Sequence, residues 1–293
     1  MILLIKKISI IGGDLRLVKL AEMLCDEGAE VFTYGIENAE ETEKIEAKKC
    51  DSLEECVESS NIIIGPIPFS SNGETINAPF SKQKISVEDL IKMLNGKILI
   101  AGSIKQEVYN LANKYQVQVI DILKREELSV LNAISTAEGA IKIAIEETAK
   151  NLHGSNILVL GFGRIGKVLS HMLDGLGAKV ACEARKNSDL AWIKAYGYEQ
   201  VPLSELKENL DKFDVIINTI PYMVLDSENL QKVRQDALVI DLASNPGGVD
   251  KEAIKERKIK FVWALSLPGK IAPVTSAEFI KETLYNIVKE IQN

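Results

Sequence analysis

Three glycines at positions 161, 163 and 166 have the spacing in this chain that most directly implies a chemical role. In the pattern G-x-G-x-x-G, the first glycine permits a sharp turn, the second lets a pyrophosphate approach the backbone, and the third lets a helix pack closely on a strand. The apolar run 157–160 predicts the buried strand, and the apolar spacing after Gly166 predicts the helix, whose start attracts phosphates. We therefore predict a dinucleotide site made by Gly161, Phe162, Gly163, Arg164, Ile165 and Gly166.

The end of the next predicted strand bears on which dinucleotide is bound. An NAD enzyme usually places Asp or Glu there, where the carboxylate accepts hydrogen bonds from the ribose 2′-hydroxyl. We place this position at Ala184, which is small and neutral, and which is followed by Arg185 and Lys186. The planar fork of an arginine suits a 2′-phosphate, so the sequence favours NADP. If Glu183 occupies the position instead, NAD is favoured.

Residues that follow the later strands are candidates for the ligand side of the sheet. In an open α/β sheet, ligands bind beyond the carboxyl ends of the strands. Thr219 and Pro221 close one predicted strand and Asp241 closes the next, so we predict that they contact the cofactor. The segment after the last strand carries Lys270, a cation for a carboxylate substrate, and Thr275, which we expect to cap the final helix and to donate to substrate. The alternative is that these segments are ordinary turns.

The first half of the chain contains a second, degenerate glycine turn. Gly12 and Gly13 are followed by Asp14, with no third glycine. A carboxylate at that place repels a phosphate, so we expect this domain to hold substrate rather than cofactor, with Arg16 as a carboxylate ligand. The alternative is that Asp14 only caps its helix. The polar segment 70–84 is a candidate flap.

A capping-box pattern, Ser135-Thr136-Ala-Glu138, predicts the start of a helix. We expect Ser135 to be its N-cap and the helix to connect two domains. The start of this helix would then offer Ser135 and Thr136 as further contacts for a carboxylate substrate.

The alternation of predicted strands and helices indicates an α/β protein with two Rossmann-like, doubly wound parallel-sheet domains around an interdomain cleft. We expect a substrate domain over residues 1–134, a connecting helix over 135–152 and a dinucleotide domain over 153–274. By analogy alone, a final helix over 275–293 is expected to pack on the first domain. The charged segment 37–49 is expected to be a solvated loop or helix.

The composition excludes several classes of function. Lys and Arg number 35 against 42 Asp and Glu, a net charge of −7 without a basic block, which argues against nucleic acid as a partner. No apolar run is long enough for a membrane span. The four cysteines have no metal-ligand spacing, so we expect reduced thiols, a cytoplasmic location and no metal site. His153 and His171 lie away from the predicted strand ends and are poor catalytic candidates.

Several of these segments together resemble the A subunits of dipicolinate synthases, over essentially the whole chain. The second half is also similar to the D-2-hydroxyacid and alanine dehydrogenases. The specific part is the Gly-Gly-Asp-x-Arg opening combined with the Leu-Pro-Gly-Lys-x-Ala-Pro segment. The segments that carry the resemblance are Gly12 to Arg16, Gly65-Pro66, Ser135 to Gly139, Gly161 to Gly166, Ala184-Arg185, and Leu267 to Thr275.

The resemblance implies oxidation of dihydrodipicolinate, or of its 4-hydroxy-tetrahydro precursor, to pyridine-2,6-dicarboxylate. This reaction branches from the lysine pathway and takes place during sporulation, in the mother-cell cytoplasm. The resemblance also implies NADP as hydride acceptor and, for a partner, the smaller and flavoprotein-like B subunit. We further expect a homo-oligomer.

Under this resemblance, Lys270 holds the dicarboxylate substrate. The base is Glu138, Asp14 or water, since neither histidine fits. The alternatives are an alanine- or 2-hydroxyacid-type dehydrogenase, or a nucleotide-binding regulatory subunit that is inactive without its partner.

Overall fold

The computed structural model describes residues 5–292, so the first four residues of the predicted first domain and Asn293 of the predicted final helix lie outside it. The described chain forms two compact units. Unit 1 combines the residues up to Ser129 with those from Ala272, and unit 2 is Val130–Ile271. Each unit is built on a six-stranded parallel sheet with helices. This confirms the prediction of an α/β protein with two Rossmann-like domains.

Unit 1 has the strand order of a dinucleotide-binding fold. Its strands are β1 (Lys7–Ile11), β2 (Glu30–Tyr34), β3 (Lys48–Lys49), β4 (Ile62–Ile64), β5 (Ile98–Ala101) and β6 (Gln118–Asp121). They are arranged as β3-β2-β1-β4-β5-β6. The helices between them are α1 (Leu15–Asp26), α2 (Leu53–Glu58), α3 (Val87–Met93) and α4 (Gln106–Lys114), with short 3₁₀ helices at Glu40–Lys44 and Ile122–Lys124. The two-residue strand β3 lies in the segment expected to be only a loop or helix.

The next helix, α5 (Glu126–Glu147), corrects the prediction of a helix that starts at Ser135. Ser135 lies in its interior and is 1% exposed, so it is not an N-cap. The acidic residues of the true first turn are Glu126 and Glu127, where carboxylates interact favourably with the helix dipole. The Ser-x-x-Glu pattern is therefore misleading, because a buried serine and an exposed glutamate three residues later also occur within a helix.

Unit 2 repeats the same architecture. Its strands are β7 (Asn156–Leu160), β8 (Lys179–Ala184), β9 (Glu199–Pro202), β10 (Val215–Asn218), β11 (Leu238–Asp241) and β12 (Lys260–Trp263), in the order β12-β11-β10-β7-β8-β9. Its helices are α6 (Arg164–Gly175), α7 (Asn187–Ala195), α8 (Leu206–Asn209), α9 (Ser227–Leu230), α10 (Lys251–Glu256) and α11 (Leu267–Ile271), with 3₁₀ helices at Leu203–Glu205 and Leu210–Lys212. In both units the strand order reverses at the central strand, which is where such sheets bind ligands.

The segment from Leu267 to Thr275 is helical except at Ala272, which corrects the expectation that Thr275 caps the final helix. Lys270 lies on the short helix α11, not in an ordinary turn. The final helix, α12, spans Pro273–Gln292, so Thr275 lies inside its first turn and is not its N-cap. A proline suits the first position of a helix because its fixed φ is already helical and its missing N–H has no intrahelical role. Within unit 1, α12 packs on α1, and apolar residues of both helices share one core.

Helix α5 is, among the described residues, the one helix long and apolar enough to cross a membrane by length and composition. One such helix is weak evidence, because the core helix of a soluble protein passes the same test. Here Ala137, Ala140 and Ala144 are buried against the sheet of unit 2. We therefore interpret α5 as a core helix.

Candidate functional site

The predicted glycine turn of unit 2 has the backbone that a dinucleotide-binding turn requires. Gly161 has a φ of +90°, a conformation that side chains disfavour. A Cβ on Gly166 would lie 2.0 Å from the carbonyl oxygen of Gly161, so only glycine allows α6 to pack this closely on the turn. The side chain of Phe162 is buried in the core, and Ile165 packs against that core. These two residues therefore present mainly their backbone to a ligand.

The start of α6 is open for an anion. Gly163 is the N-cap and, having no side chain, makes no side-chain capping hydrogen bond. A Cβ on Gly163 would meet no atom within 4 Å, so the space in front of the turn is empty. An uncapped helix start beside an open glycine turn fits a pyrophosphate group.

The end of β8 presents cationic residues next to this turn. Ala184 is the last residue of the strand and is buried, and Arg185 and Lys186 are exposed directly after it. Glu183 points elsewhere: it is 1% exposed, and its carboxylate accepts a hydrogen bond from the Gly161 N–H at 3.2 Å. Burial raises the pKa of the Glu183 carboxyl, while that hydrogen bond and the charge of Arg185 lower it in part.

The end of β10 touches the glycine turn directly. The Thr219 hydroxyl donates a hydrogen bond to the carbonyl oxygen of Leu160 at 2.8 Å. Its oxygen would lie 2.7 Å from a Cβ on Gly161. Thr219 therefore ties the end of β10 to the end of β7, and Pro221 is exposed on the segment that follows. That Thr219 and Pro221 contact the cofactor stays a prediction.

Asp241, predicted to contact the cofactor, is fully buried at the end of β11. Its carboxylate accepts hydrogen bonds from the Asn218 side-chain amide and from the N–H groups of Ala243 and Gly248, at 2.8, 3.0 and 2.8 Å. It therefore shapes the segment after β11 and does not face open space. A buried carboxylate is tolerated here because three donors satisfy it.

In unit 1, Asp14 acts as a helix cap, which was the alternative to a repelling charge. It is the N-cap of α1 and accepts a hydrogen bond from the N–H of Arg16. The Arg16 guanidinium also donates to both Asp14 carboxylate oxygens, at 2.9 and 2.7 Å, and to the carbonyl oxygen of Ile67. Repulsion by a free carboxylate is therefore not the reason why this turn differs, because Arg16 neutralises the charge.

A segment of unit 1 covers the degenerate glycine turn instead. The N–H of Gly13 donates to the carbonyl oxygen of Asn77 at 2.8 Å. A Cβ on Gly12 would lie 3.1–3.2 Å from atoms of Ile76, Asn77 and Ala78. Residues 76–78, part of the segment predicted as a candidate flap, thus lie where a phosphate would bind. The Gly13 N–H, which would donate to that phosphate, donates to Asn77 instead. This supports the expectation that unit 1 does not bind the dinucleotide.

Two of the predicted substrate-binding residues lie in the interior of α5. The Thr136 hydroxyl donates to the carbonyl oxygen of Asn132, one turn earlier, at 2.8 Å. Ser135 is buried within the same helix. One turn later, Gly139 allows α5 to approach α11, since its Cβ would lie 3.1 Å from atoms of Leu267 and Ile271. α11 carries Lys270, which is exposed.

Glu138, a candidate base, is exposed on α5 and lines an apolar groove with Met172, Gly175 and Leu176. These residues lie at the end of α6, a helix of 12 residues whose start carries the glycine turn. At a rise of about 1.5 Å per residue, the two ends are about 18 Å apart. The position of Glu138 is therefore unfavourable for a base acting beside a bound dinucleotide.

Two functional contacts escaped prediction from the sequence. No local pattern marks the carbonyl of Asn77, because its contact with Gly13 depends on how a long polar segment folds back. Glu183 does have a signal, since it is the single charged residue of the otherwise apolar stretch Val180–Ala184, all of which is buried. Its hydrogen bond to Gly161 follows from the pairing of β7 with β8, in which Leu160 lies opposite Glu183.

Two family models match the chain. One is described as the N-terminal domain of the dipicolinate synthase A subunit, and it matches residues 7–123, in unit 1. The other is described as the NAD binding domain of D-isomer specific 2-hydroxyacid dehydrogenase and matches residues 132–257, in unit 2. The second match supports a dehydrogenase-type role and a nicotinamide dinucleotide cofactor. It does not distinguish NADP from NAD.

Individual relatives extend the match to nearly the whole chain. The dipicolinate synthase A subunit from Bacillus subtilis (strain 168) is 30% identical over 288 residues, which cover 98% of this chain and 97% of that protein. The crystal structure of the corresponding protein from Bacillus halodurans is 30% identical, has a TM-score of 0.88 and covers 97% of each chain. An L-alanine dehydrogenase, 14% identical, shares the fold with a TM-score of 0.69, covering 98% of this chain and 90% of that one. This chain therefore belongs to the family of dipicolinate synthase A subunits.

Proposed function

We propose that this protein is an NADP-dependent dehydrogenase that forms pyridine-2,6-dicarboxylate from dihydrodipicolinate or from its 4-hydroxy-tetrahydro precursor. Family membership supports the reaction, and the glycine turn of unit 2 supports a dinucleotide cofactor. The observation that carries the choice of NADP is the end of β8. There the small residue Ala184 is followed by the exposed Arg185, which has no ion pair among the described residues.

The chemistry needs placement more than it needs reactive side chains. Dihydrodipicolinate loses a hydride and a proton to give an aromatic ring, which supplies much of the driving force. Bound NADP supplies the hydride acceptor. The protein must hold the substrate ring against the nicotinamide of the cofactor. Such positioning accelerates a reaction between two bound groups. We propose that Lys270 binds one substrate carboxylate, and that Arg16 and Thr275 are further candidate ligands. Ser135 and Thr136, which lie within α5, contribute less to substrate binding.

Water is the base that the geometry favours. Asp14 already accepts hydrogen bonds from Arg16 through both of its oxygens and caps α1, so both oxygens have partners within the protein. Glu138 lies beside the far end of α6. His153 precedes β7 and His171 lies within α6, so both histidines are remote from the carboxyl ends of the strands. This arrangement also disfavours a 2-hydroxyacid dehydrogenase mechanism, which uses a catalytic histidine.

The proposed setting is that of the family. The relatives are named as the A subunit of an enzyme, which implies a multi-subunit complex. We propose that this chain acts together with the B subunit of dipicolinate synthase, forms a homo-oligomer, and works in the mother-cell cytoplasm during sporulation. A small dicarboxylate is its substrate, and neither nucleic acid nor a membrane is a proposed partner.

The cofactor choice is tested by comparing Arg185→Ala with Lys194→Ala, which replaces an exposed lysine of α7 with no ion pair among the described residues. Hydrogen bonds to charged groups contribute about 1.5–3 kcal/mol, so Arg185→Ala should weaken NADP binding about 10- to 150-fold and leave NAD binding nearly unchanged. Lys194→Ala should change neither. Calorimetric titration with both cofactors measures this, and a wild-type preference for NAD would contradict the proposal.

The reaction is tested with the purified chain, NADP and freshly generated dihydrodipicolinate, with and without the B subunit. Formation of NADPH and dipicolinate by the chain alone supports an enzyme. Absolute dependence on the partner favours the regulatory alternative instead.

A further inference from the structure

Glu183 is a carboxylic acid in a place where the fold provides little to stabilise its charge. It is 1% exposed near the end of β8, and its neighbours across the sheet are Leu160 on β7 and Val201 on β9. Alternation along the strand puts Ala181 and Glu183 on one face, and Cys182 and Ala184 on the other. An ionised carboxylate in apolar surroundings is costly unless donors or cations compensate it.

The compensation is one shared hydrogen bond. The Gly161 N–H lies 3.2 Å from a carboxylate oxygen of Glu183 and also 3.2 Å from its backbone carbonyl oxygen. Among the described residues no other hydrogen bond and no ion pair reaches this side chain. Burial accordingly raises the pKa of Glu183.

Few other charges face this carboxyl. β7 has no ionisable side chain, and β9 contributes only Glu199, which is exposed and lies opposite Ala181. Arg185, two residues along the chain, supplies the cationic charge that acts on Glu183. Helices α6 and α7 pack on the other face of β8, with Cys182 and Ala184. On the face of Ala181 and Glu183, the core includes Leu206 of α8 and Leu210 of the 3₁₀ helix that follows. The ionisable residues around these two leucines are exposed or half-buried: Glu205, Lys207, Glu208, Asp211 and Lys212.

The carboxyl lies between the two places where the cofactor's phosphates are proposed to bind. Gly161 opens the turn that would hold the pyrophosphate, and Arg185 is the proposed ligand of the 2′-phosphate. The 2′-phosphate carries a charge of about −1.5 to −2 that NAD lacks. An ionised Glu183 would therefore repel NADP more than NAD, whereas the neutral acid would repel neither.

We propose that Glu183 is a positioning residue whose protonation state determines whether NADP or NAD is preferred. The neutral acid supports the glycine turn when a phosphorylated ribose is bound, whereas the carboxylate weakens the binding of that ribose. This inference rests on the proposed function, because it assumes that the dinucleotide binds at the glycine turn of unit 2. Its consequence is proton uptake when NADP binds. The sign follows from linkage, since a ligand that favours the protonated form binds more weakly as the pH rises.

The test is calorimetric titration of the full-length protein with NADP and with NAD, between about pH 5 and about pH 9, the range in which buried glutamates titrate. In the wild type, the ratio of NADP to NAD affinity should fall with pH, by at most about tenfold per pH unit. Titration in two buffers of different ionisation enthalpy should show proton uptake with NADP and little with NAD. This second measurement needs no variant.

Glu183→Gln keeps the size of the side chain and its acceptor oxygen. In this variant, the ratio of NADP to NAD affinity should change with pH only through the titration of the 2′-phosphate, at about pH 6. Subtracting the profile of this variant from that of the wild type isolates Glu183. Parallel profiles, or equal proton exchange on NADP binding by the wild type and by Glu183→Gln, would overturn the inference while leaving the proposed function intact. Equal weakening of both cofactors at every pH would show a merely structural role. Failure of the wild type to bind either cofactor would instead refute the proposed function.

Discussion

Among single residues, the charged groups around the two glycine turns differ in whether they have hydrogen-bond or ion-pair partners within the protein. Arg16 and Asp14 satisfy each other, and Asp14 also caps α1. Arg185 and Lys270 are exposed and have no ion pair among the described residues. Cations without partners in the protein are the ones available to the phosphate and carboxylate groups of ligands. Arg16 already has Asp14 and the Ile67 carbonyl as partners, so as a substrate ligand it would exchange one of them for the substrate carboxylate.

Replacing Lys270 with alanine should therefore affect substrate more than the fold. If Lys270 donates a hydrogen bond to a substrate carboxylate, its loss should lower kcat/KM about 10- to 150-fold, corresponding to about 1.5–3 kcal/mol. Steady-state kinetics with dihydrodipicolinate would measure this, and the affinity for NADP should stay unchanged. Lys255→Ala, on an exposed position of α10, is the matched control. Wild-type kinetics for Lys270→Ala would remove this residue from the site.

At the scale of elements, the turn between β7 and α6 depends on one close backbone contact. Gly166 lies at the point where α6 meets Gly161, and a Cβ there would lie 2.0 Å from a carbonyl oxygen that cannot move without moving β7. The other end of the same helix is different, because a Cβ on Gly175 would meet no atom within 4 Å. The two glycines of α6 therefore serve as a matched pair for substitution.

Gly166→Ala should destabilise unit 2 by about 1–3 kcal/mol through overpacking and should abolish NADP binding. Gly175→Ala should preserve binding and stabilise the helix by up to about 1 kcal/mol, because alanine has the higher helix propensity. Urea denaturation and NADP titration would measure both effects. If the two variants behaved alike, the backbone contact at Gly166 would not determine the shape of the turn.

Elements were more predictable from the sequence than the contacts between them. The apolar run 157–160 located β7, because a strand covered on both faces must be apolar throughout. The strands predicted to end near Thr219 and at Asp241 are β10 and β11. Ser135 and Thr275 were misplaced because capping patterns are local, whereas the start of a helix also depends on what packs against it. The cover over Gly13 depends on a contact across 64 positions of sequence, and no spacing rule reports that.

At the scale of the whole molecule, the two units repeat one strand order and differ in what occupies the central turn. In unit 1 the segment 76–78 lies against the turn, and in unit 2 the space in front of Gly163 is open. Of the two central turns, only the one in unit 2 therefore offers an open place for a phosphate group.

NADP should therefore protect one unit only. At a concentration of about 100 times its Kd, the cofactor should stabilise the unit that binds it by about 2.7 kcal/mol. Hydrogen–deuterium exchange should show slower exchange in residues 156–166 and 179–186 of unit 2, and no direct change around Gly12 and Gly13. The Gly166→Ala variant provides the control without binding. Protection centred on the turn of unit 1 would contradict the assignment of the cofactor site.

The return of α12 to unit 1 has a consequence for how the protein is made. A ribosome makes unit 2, Val130–Ile271, before it makes α12, whose Ile280, Leu284 and Ile287 belong to the core around α1. Synthesis from the N-terminus normally lets the first domain fold first. Unit 1 cannot complete its core in this way, because α1 gains its partner helix only after the whole of unit 2 has been made.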